Sequence, residues 1–99
     1  MSAYVIFIRD KIIDPDEMAT YAALAREARG QHKLRPLVFY GDKEALEGPE
    51  VDGVVVVEFE TMDAAKAWYN SPAYQEAKAH RLKGAQYRVI LADGLPSPN

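Results

Sequence analysis

The chain has 99 residues, enough for one small domain and too few for two with separate cores. Apolar types make up 48% and charged types 27%, a balance that excludes intrinsic disorder. Twelve Lys and Arg against fifteen Asp and Glu give a formal charge of −3, and no block of like charge points to nucleic acid or to a polybasic membrane anchor.

Tyr4-Val5-Ile6-Phe7-Ile8 is a continuous run of β-branched and aromatic residues. It predicts a strand covered on both faces, since a half-exposed strand alternates. Asp14-Pro15-Asp16-Glu17 predicts a helix start: Asp14 as N-cap, Pro15 in the first turn, and Glu17 closing a box-like pattern. Met18, Tyr21, Ala22, Leu24, Ala25 and Ala28 continue at helical spacing, and Gly30 is placed to stop the helix in a left-handed conformation. Arg35 to Tyr40 reads as a second strand, held to an edge by Pro36, which cannot donate to a ladder. Residues 41–53 are polar and long for a hairpin loop, with room for a short local element around Ala45 and Leu46. Residues 53–60, with four successive valines, form the strongest strand signal. Thr61 then caps a helix through Trp68 and Tyr69, broken at Asn70-Ser71-Pro72. A second piece restarts at Pro72 with Tyr74, Ala77, Lys78 and Arg81 on one face. Residues 85–92 predict the last strand.

The order strand, helix, strand, strand, helix, strand predicts an α+β, ferredoxin-like βαββαβ fold: one antiparallel sheet with both helices on one face. A single domain over residues 1–94 and a flexible tail over 95–99 are expected. Strands apolar on both sides leave the far face of the sheet uncovered, and such a patch exceeds what soluble monomers usually expose. A second copy, sheet against sheet, is the simplest cover, so a homodimer is expected. The other cover, a fold-back of residues 94–99, is short and polar. No apolar run approaches a membrane span, and a cytoplasmic protein is the expectation.

Zero cysteines remove thiolate catalysis and Cys-ligated zinc. Of the serines, Ser71 reads first as a helix cap. His32 and His80 sit in no metal-ligand pattern, so no metal site is expected. His80 lies near a helix end, where a cationic imidazole is favoured. No phosphate-binding glycine pattern occurs, and no cofactor is implied; haem would require His32 or His80 as its ligand. The densest candidate is Trp68, Tyr69, Ser71, Tyr74 and Arg81, an aromatic cluster beside a helix break with one cation. It suits a small acidic or aromatic ligand. Free N–H groups at the restart could hold a carboxylate or enolate oxygen. The competing reading is packing, with Arg81 answering a carboxylate such as Glu58. His32, Tyr69 and Arg81 are the candidates for acid–base or charge-stabilising roles.

Val-Val-Val-Glu-Phe at 55–59, with Ala67-Trp68-Tyr69, Ser71-Pro72, Tyr74-Gln75 and Arg81, resembles the uncharacterised family called domain of unknown function 1330. Asp14-Pro15, Tyr21, Glu47-Gly48 and Gly94 fit the same pattern, and the resemblance spans about Ala3 to Gly94. A glycine pair common in the family after the first helix is replaced here by Gly30-Gln31-His32. The resemblance implies the dimeric α+β barrel group. That group holds cofactor-independent monooxygenases, lactone isomerases, dye-type haem peroxidases and ligand-sensing domains. It therefore leaves open a cofactor-independent enzyme acting on a small aromatic or carbonyl acid, or a non-catalytic ligand-binding module. Trp68, Tyr69, Ser71, Tyr74 and Arg81 are family-pattern positions, with no catalytic role implied.

Overall fold

Side-chain alternation sets the two sides of the sheet. In the computed structural model, which describes residues 2–96, the elements run β1 (Ala3–Ile12), α1 (Pro15–Ala28), β2 (Leu34–Phe39), β3 (Gly53–Phe59), α2 (Met62–Tyr69), α3 (Pro72–Gly84) and β4 (Ala85–Asp93). The strands form one antiparallel sheet in the order β2-β3-β1-β4, the ferredoxin-like arrangement. Ala3, Val5 and Phe7 of β1 and Val55, Val57 and Phe59 of β3 are buried on one face. With Trp68, Tyr74 and Ala77 they form the core.

The capping residues behave as their chemistry demands. Asp14 accepts from the amides of Asp16 and Glu17, Thr61 from that of Ala64, and Ser71 from that of Tyr74. Glu17 does not close a capping box. Its Oε2 lies 2.8 Å from Nδ1 of His80 on α3, because α1 and α3 pack side by side and an ion-pairing partner is within reach. Gly30 is left-handed, with φ +47°. β2 lies at the sheet edge, as Pro36 requires, and its ladder is irregular between Pro36 and Val38. No regular element forms at Ala45 and Leu46; the polar stretch around them has little apolar surface with which to anchor one.

α1 is fastened chiefly to α3 rather than to the sheet. The amides of Ile13 and Asp14 both donate to Gly84 O, at 2.7 and 3.0 Å. A Cβ on Gly84 would stand 2.8 Å from Met18 Sδ, so the missing side chain lets the two helices meet. The sheet's opposite face carries Ile6, Val56 and Ile90 in register. Within one chain these are at most half-buried, the open face that two-sided apolar strands predict for a single copy. The expected tail falls partly on residues 97–99, outside the described residues. Among the described residues, no helix is long and apolar enough to cross a membrane.

Candidate functional site

Because α1 rides on α3, a space remains between it and the sheet. This cavity, of about 460 Å³, has an apolar body that includes Phe7, Val55, Val57 and Trp68 from the sheet side and Met18, Ala22 and Ala25 from α1. Its polar lining includes Arg9, Tyr21 and Tyr40, with Arg26 from α1 and Arg29 from its C-cap. Small side chains on α1 and a large indole opposite are what leave the volume unfilled.

Two phenol pairs stand at this cavity. Tyr21 Oη is 2.8 Å from Tyr74 Oη, and Tyr40 Oη is 2.6 Å from Tyr87 Oη. In each pair one member lines the cavity, Tyr21 and Tyr40, and the other stands behind it. An arginine stands at each pair, Arg81 outside the cavity lining and Arg9 within it. Arg81, only 3% exposed, approaches the Tyr74 hydroxyl closely enough to favour its phenolate. Its Cζ lies 5.2 Å from the centre of the Tyr87 ring and 5.8 Å from that of Phe7. Arg9 donates to Asp52 and lies 4.3 Å over the Tyr40 ring, with Tyr87 close enough to favour its charge. Burial works against its charge, but Tyr87 and Asp52 carry it above its ordinary value.

Burial raises the phenol pKa of Tyr21, Tyr40 and Tyr74. For Tyr21 the neighbouring Tyr74 adds to the rise, and for Tyr40 the bond to Tyr87 does so. For Tyr74 the bond to Tyr21 and the charge of Arg81 oppose it. All three remain protonated donors at neutral pH. The pairs also sense each other, since Tyr87 raises Tyr21 and Tyr74 raises Tyr40.

Tyr40 is held in a left-handed backbone conformation, φ 53°, which costs a non-glycine residue on the order of 1 kcal/mol or more. Its amide donates to Val54 O at 2.9 Å. Its ring lies against Gly53, where a Cβ would come within 2.6 Å of Cδ1. The strain and the missing side chain together set where this hydroxyl points.

Charge and donor balance make the site unusual. Among the described residues the ion pairs are Arg9–Asp52, Arg35–Glu58, His80–Glu17 and Arg88–Asp10. Arg81 has no carboxylate. Glu58 lies on the opposite face of the sheet, bonded to Arg35 and Tyr4, so its expected pairing with Arg81 does not occur: residues 58 and 59 alternate across the pleat. Among the described residues, the buried side-chain atoms left without a partner are Arg81 Nε and Trp68 Nε1. Both are N–H donors.

A family model for a domain of unknown function, DUF1330, matches residues 2–95. The chain belongs to the DUF1330 family. No curated protein matches it. Several solved structures share the fold of this DUF1330 chain. A protein of unknown function from Rhodopseudomonas palustris is 19% identical over 97% of this chain and 84% of its own, with a TM-score of 0.72. A dimeric ferredoxin-like protein of unknown function from Thermobifida fusca is 14% identical, covering 92% and 89%, with a TM-score of 0.62. SnoaB, a cofactor-independent oxygenase from Streptomyces nogalater, is 12% identical, covering 97% and 94%, with a TM-score of 0.57. At these identities the likeness is one of fold.

In this DUF1330 protein the rings of Trp68, Tyr69 and Tyr74 pack together as the sequence suggested, with centres 4.2, 5.3 and 6.4 Å apart, but they do not all face the cavity. Trp68 lines the cavity. Tyr74 and Arg81 stand behind it. Ser71 is used locally, its Oγ donating to Trp68 O at 2.7 Å and accepting from the Tyr74 amide at 3.2 Å. The α3 N-terminus expected to hold an oxygen is thus capped by its own serine. Tyr69 is half-buried beneath Lys78, whose Nζ is 5.1 Å from the ring centre, and does not line the cavity. His32 lies in the α1–β2 connection, away from the cavity lining, and His80 is held by Glu17. Arg9, Tyr40 and Tyr87 were not singled out in the sequence, and Tyr21 stood there as a helix-face and family-pattern position. Their signal was phase: Arg9 continues the core series 3, 5, 7 of β1, and Tyr87 begins the series 87, 89, 91 of β4.

Proposed function

We propose that this protein works as a homodimer and binds a small aromatic or carbonyl acid, as its anion, in the cavity between α1 and the sheet. The observation that carries this reading is Arg81, a buried guanidinium with no carboxylate and an unpartnered Nε. An unneutralised buried cation is costly, and an anionic ligand with an apolar body, held in the cavity in front of the Tyr74–Tyr21 pair, would supply the missing countercharge. Homodimerisation is supported by the apolar outer sheet face and by the dimeric ferredoxin-like neighbour.

Benzoate, salicylate and phenylpyruvate are suitable probes. At about a hundred times its dissociation constant, a bound ligand adds roughly 2.7 kcal/mol, a rise in melting temperature of about 10 °C or more for a domain of this size. The rise should shrink sharply in Tyr21→Phe. No rise with any member of the class overturns the proposal. A second reading, cofactor-independent catalysis, is favoured by the protonated phenols, which could hold an enolate oxygen as charge develops on it. Product appearing from an enolisable acid under air would select it, and recovery of unchanged acid would leave a binding module.

A further inference from the structure

Resting on the anion-binding reading, we infer that the ligand is a two-ended acid, with one anionic group in front of Tyr21 and a second, a carboxylate, held by Arg26 and Arg29 at one end of the same cavity. The cavity follows one row of α1. Met18, Ala22, Ala25 and Arg29 line it at steps of three or four residues, with Arg26 beside them, the spacing that puts side chains on one helix face. Arg29 Nη2 donates to Leu34 O at 2.9 Å, which ties this end of the cavity to the start of β2. Arg9 lies over Tyr40, just past the other end of β2. Between the two ends the floor is apolar, with Val55, Val57 and Trp68.

Charge distinguishes the ends. Arg9 is neutralised by Asp52. Among the described residues neither Arg26 nor Arg29 forms an ion pair, although the helix C-terminus beside them favours cations. Residues three apart on a helix are neighbours, and guanidinium forks match the two oxygens of a carboxylate. With Arg81 behind Tyr74, a monoacid in front of Tyr21 leaves the Arg26 and Arg29 end unanswered. Size agrees with charge. From Tyr21 to Arg26 and Arg29 is about 8–12 Å along the helix axis at roughly 1.5 Å per residue. The cavity of about 460 Å³ has room for roughly fifteen waters at about 30 Å³ each, more than a one-ring acid such as benzoate displaces. An acid with an apolar body of two rings, or an equivalent chain, and a carboxylate at each end fits both measures.

The test compares biphenyl-4,4′-dicarboxylate, a rigid rod of that length, with biphenyl-4-carboxylate, by isothermal titration into the full-length protein at neutral pH. The diacid should bind at least about tenfold tighter, the gain of a charge-assisted hydrogen-bonded pair. In the double variant Arg26→Gln, Arg29→Gln that ratio should collapse to the statistical factor for two equivalent ends, with circular dichroism unchanged. Arg29 also bonds Leu34 O. Should the double variant not fold, Arg26→Gln alone must cut the ratio several-fold. A wild-type ratio no larger than the statistical factor overturns the two-ended ligand, as does a preference that persists in the folded variants. Binding of the monoacid or benzoate with no gain for the diacid leaves the anion-binding reading in place. If none of these acids binds, both fall.

Discussion

Ile6 is the centre of the uncovered sheet face, flanked by Val56 on β3 and Ile90 on β4, and Ile6→Glu tests whether a second copy covers it. Full burial of such a side chain contributes about 1.5–3 kcal/mol. Ile6 is already half-buried within the chain, so dimerisation should add roughly 1 kcal/mol per copy. The substitution removes that from both copies and places an unpaired carboxylate in each side of an apolar interface, at several kcal/mol per ion. The sum is on the order of 5 kcal/mol, which corresponds to at least about a thousandfold weaker association. The single chain should tolerate the change, because the side chain lies on the sheet surface away from the core. Sedimentation equilibrium over a dilution series, with circular dichroism on the same samples, measures both quantities. A wild-type chain that is monomeric at micromolar concentration, or an Ile6→Glu chain that associates as tightly as wild type, refutes the reasoning.

Alkaline stability should follow the buried phenols. Tyrosines of the unfolded chain ionise near pH 10, whereas burial keeps Tyr21, Tyr40 and Tyr74 protonated in the fold. Their contribution is whole below about pH 10 and is lost above it, since the unfolded state then binds fewer protons. Ultraviolet titration should show part of the six tyrosines lagging until the chain unfolds, and uniform titration near pH 10 would count against the site. Gly53→Ala should displace the Tyr40 ring, because its Cβ would lie 2.6 Å from Cδ1. We expect a loss of about 1–3 kcal/mol in denaturant unfolding and weaker benzoate binding, and wild-type values for both would contradict the packing described. Ser71→Ala should cost about 1 kcal/mol through the lost cap without altering benzoate binding, which a titration of the variant checks directly.

What was legible in the sequence was local. Asp14, Thr61 and Ser71 announce helix starts because each must bond amides two or three residues ahead. Four valines announce β3, and Pro36 announces an edge, since its missing N–H is a property of one residue. The βαββαβ order followed from these. The cavity was much less legible, because its polar members come from β1, α1, the residue after β2, and β4, and meet only when the sheet closes. Tyr69 and Ser71 stay beside Trp68 and Tyr74 in space as in the chain, but neither lines the cavity: the Tyr69 ring packs on its aromatic neighbours and the Ser71 hydroxyl is taken up by the cap. Arg9, Arg81 and Tyr87 were visible in one respect: each is a polar-tipped residue at a position where strand or helix periodicity calls for an apolar one. Glu17 shows the converse. Its spacing from Asp14 suited a cap, and the proximity of α3 redirected it to His80.

The way α1 is hung from α3 separates two demands that compete in most small proteins. Ala19, Ala22 and Ala25 belong to the cavity wall yet belong neither to the strand ladder nor to the outer sheet surface. Enlarging any of them would trim the chamber from above and change which molecules fit. Recognition could therefore drift through three alanine codons while folding and subunit pairing stay as they are.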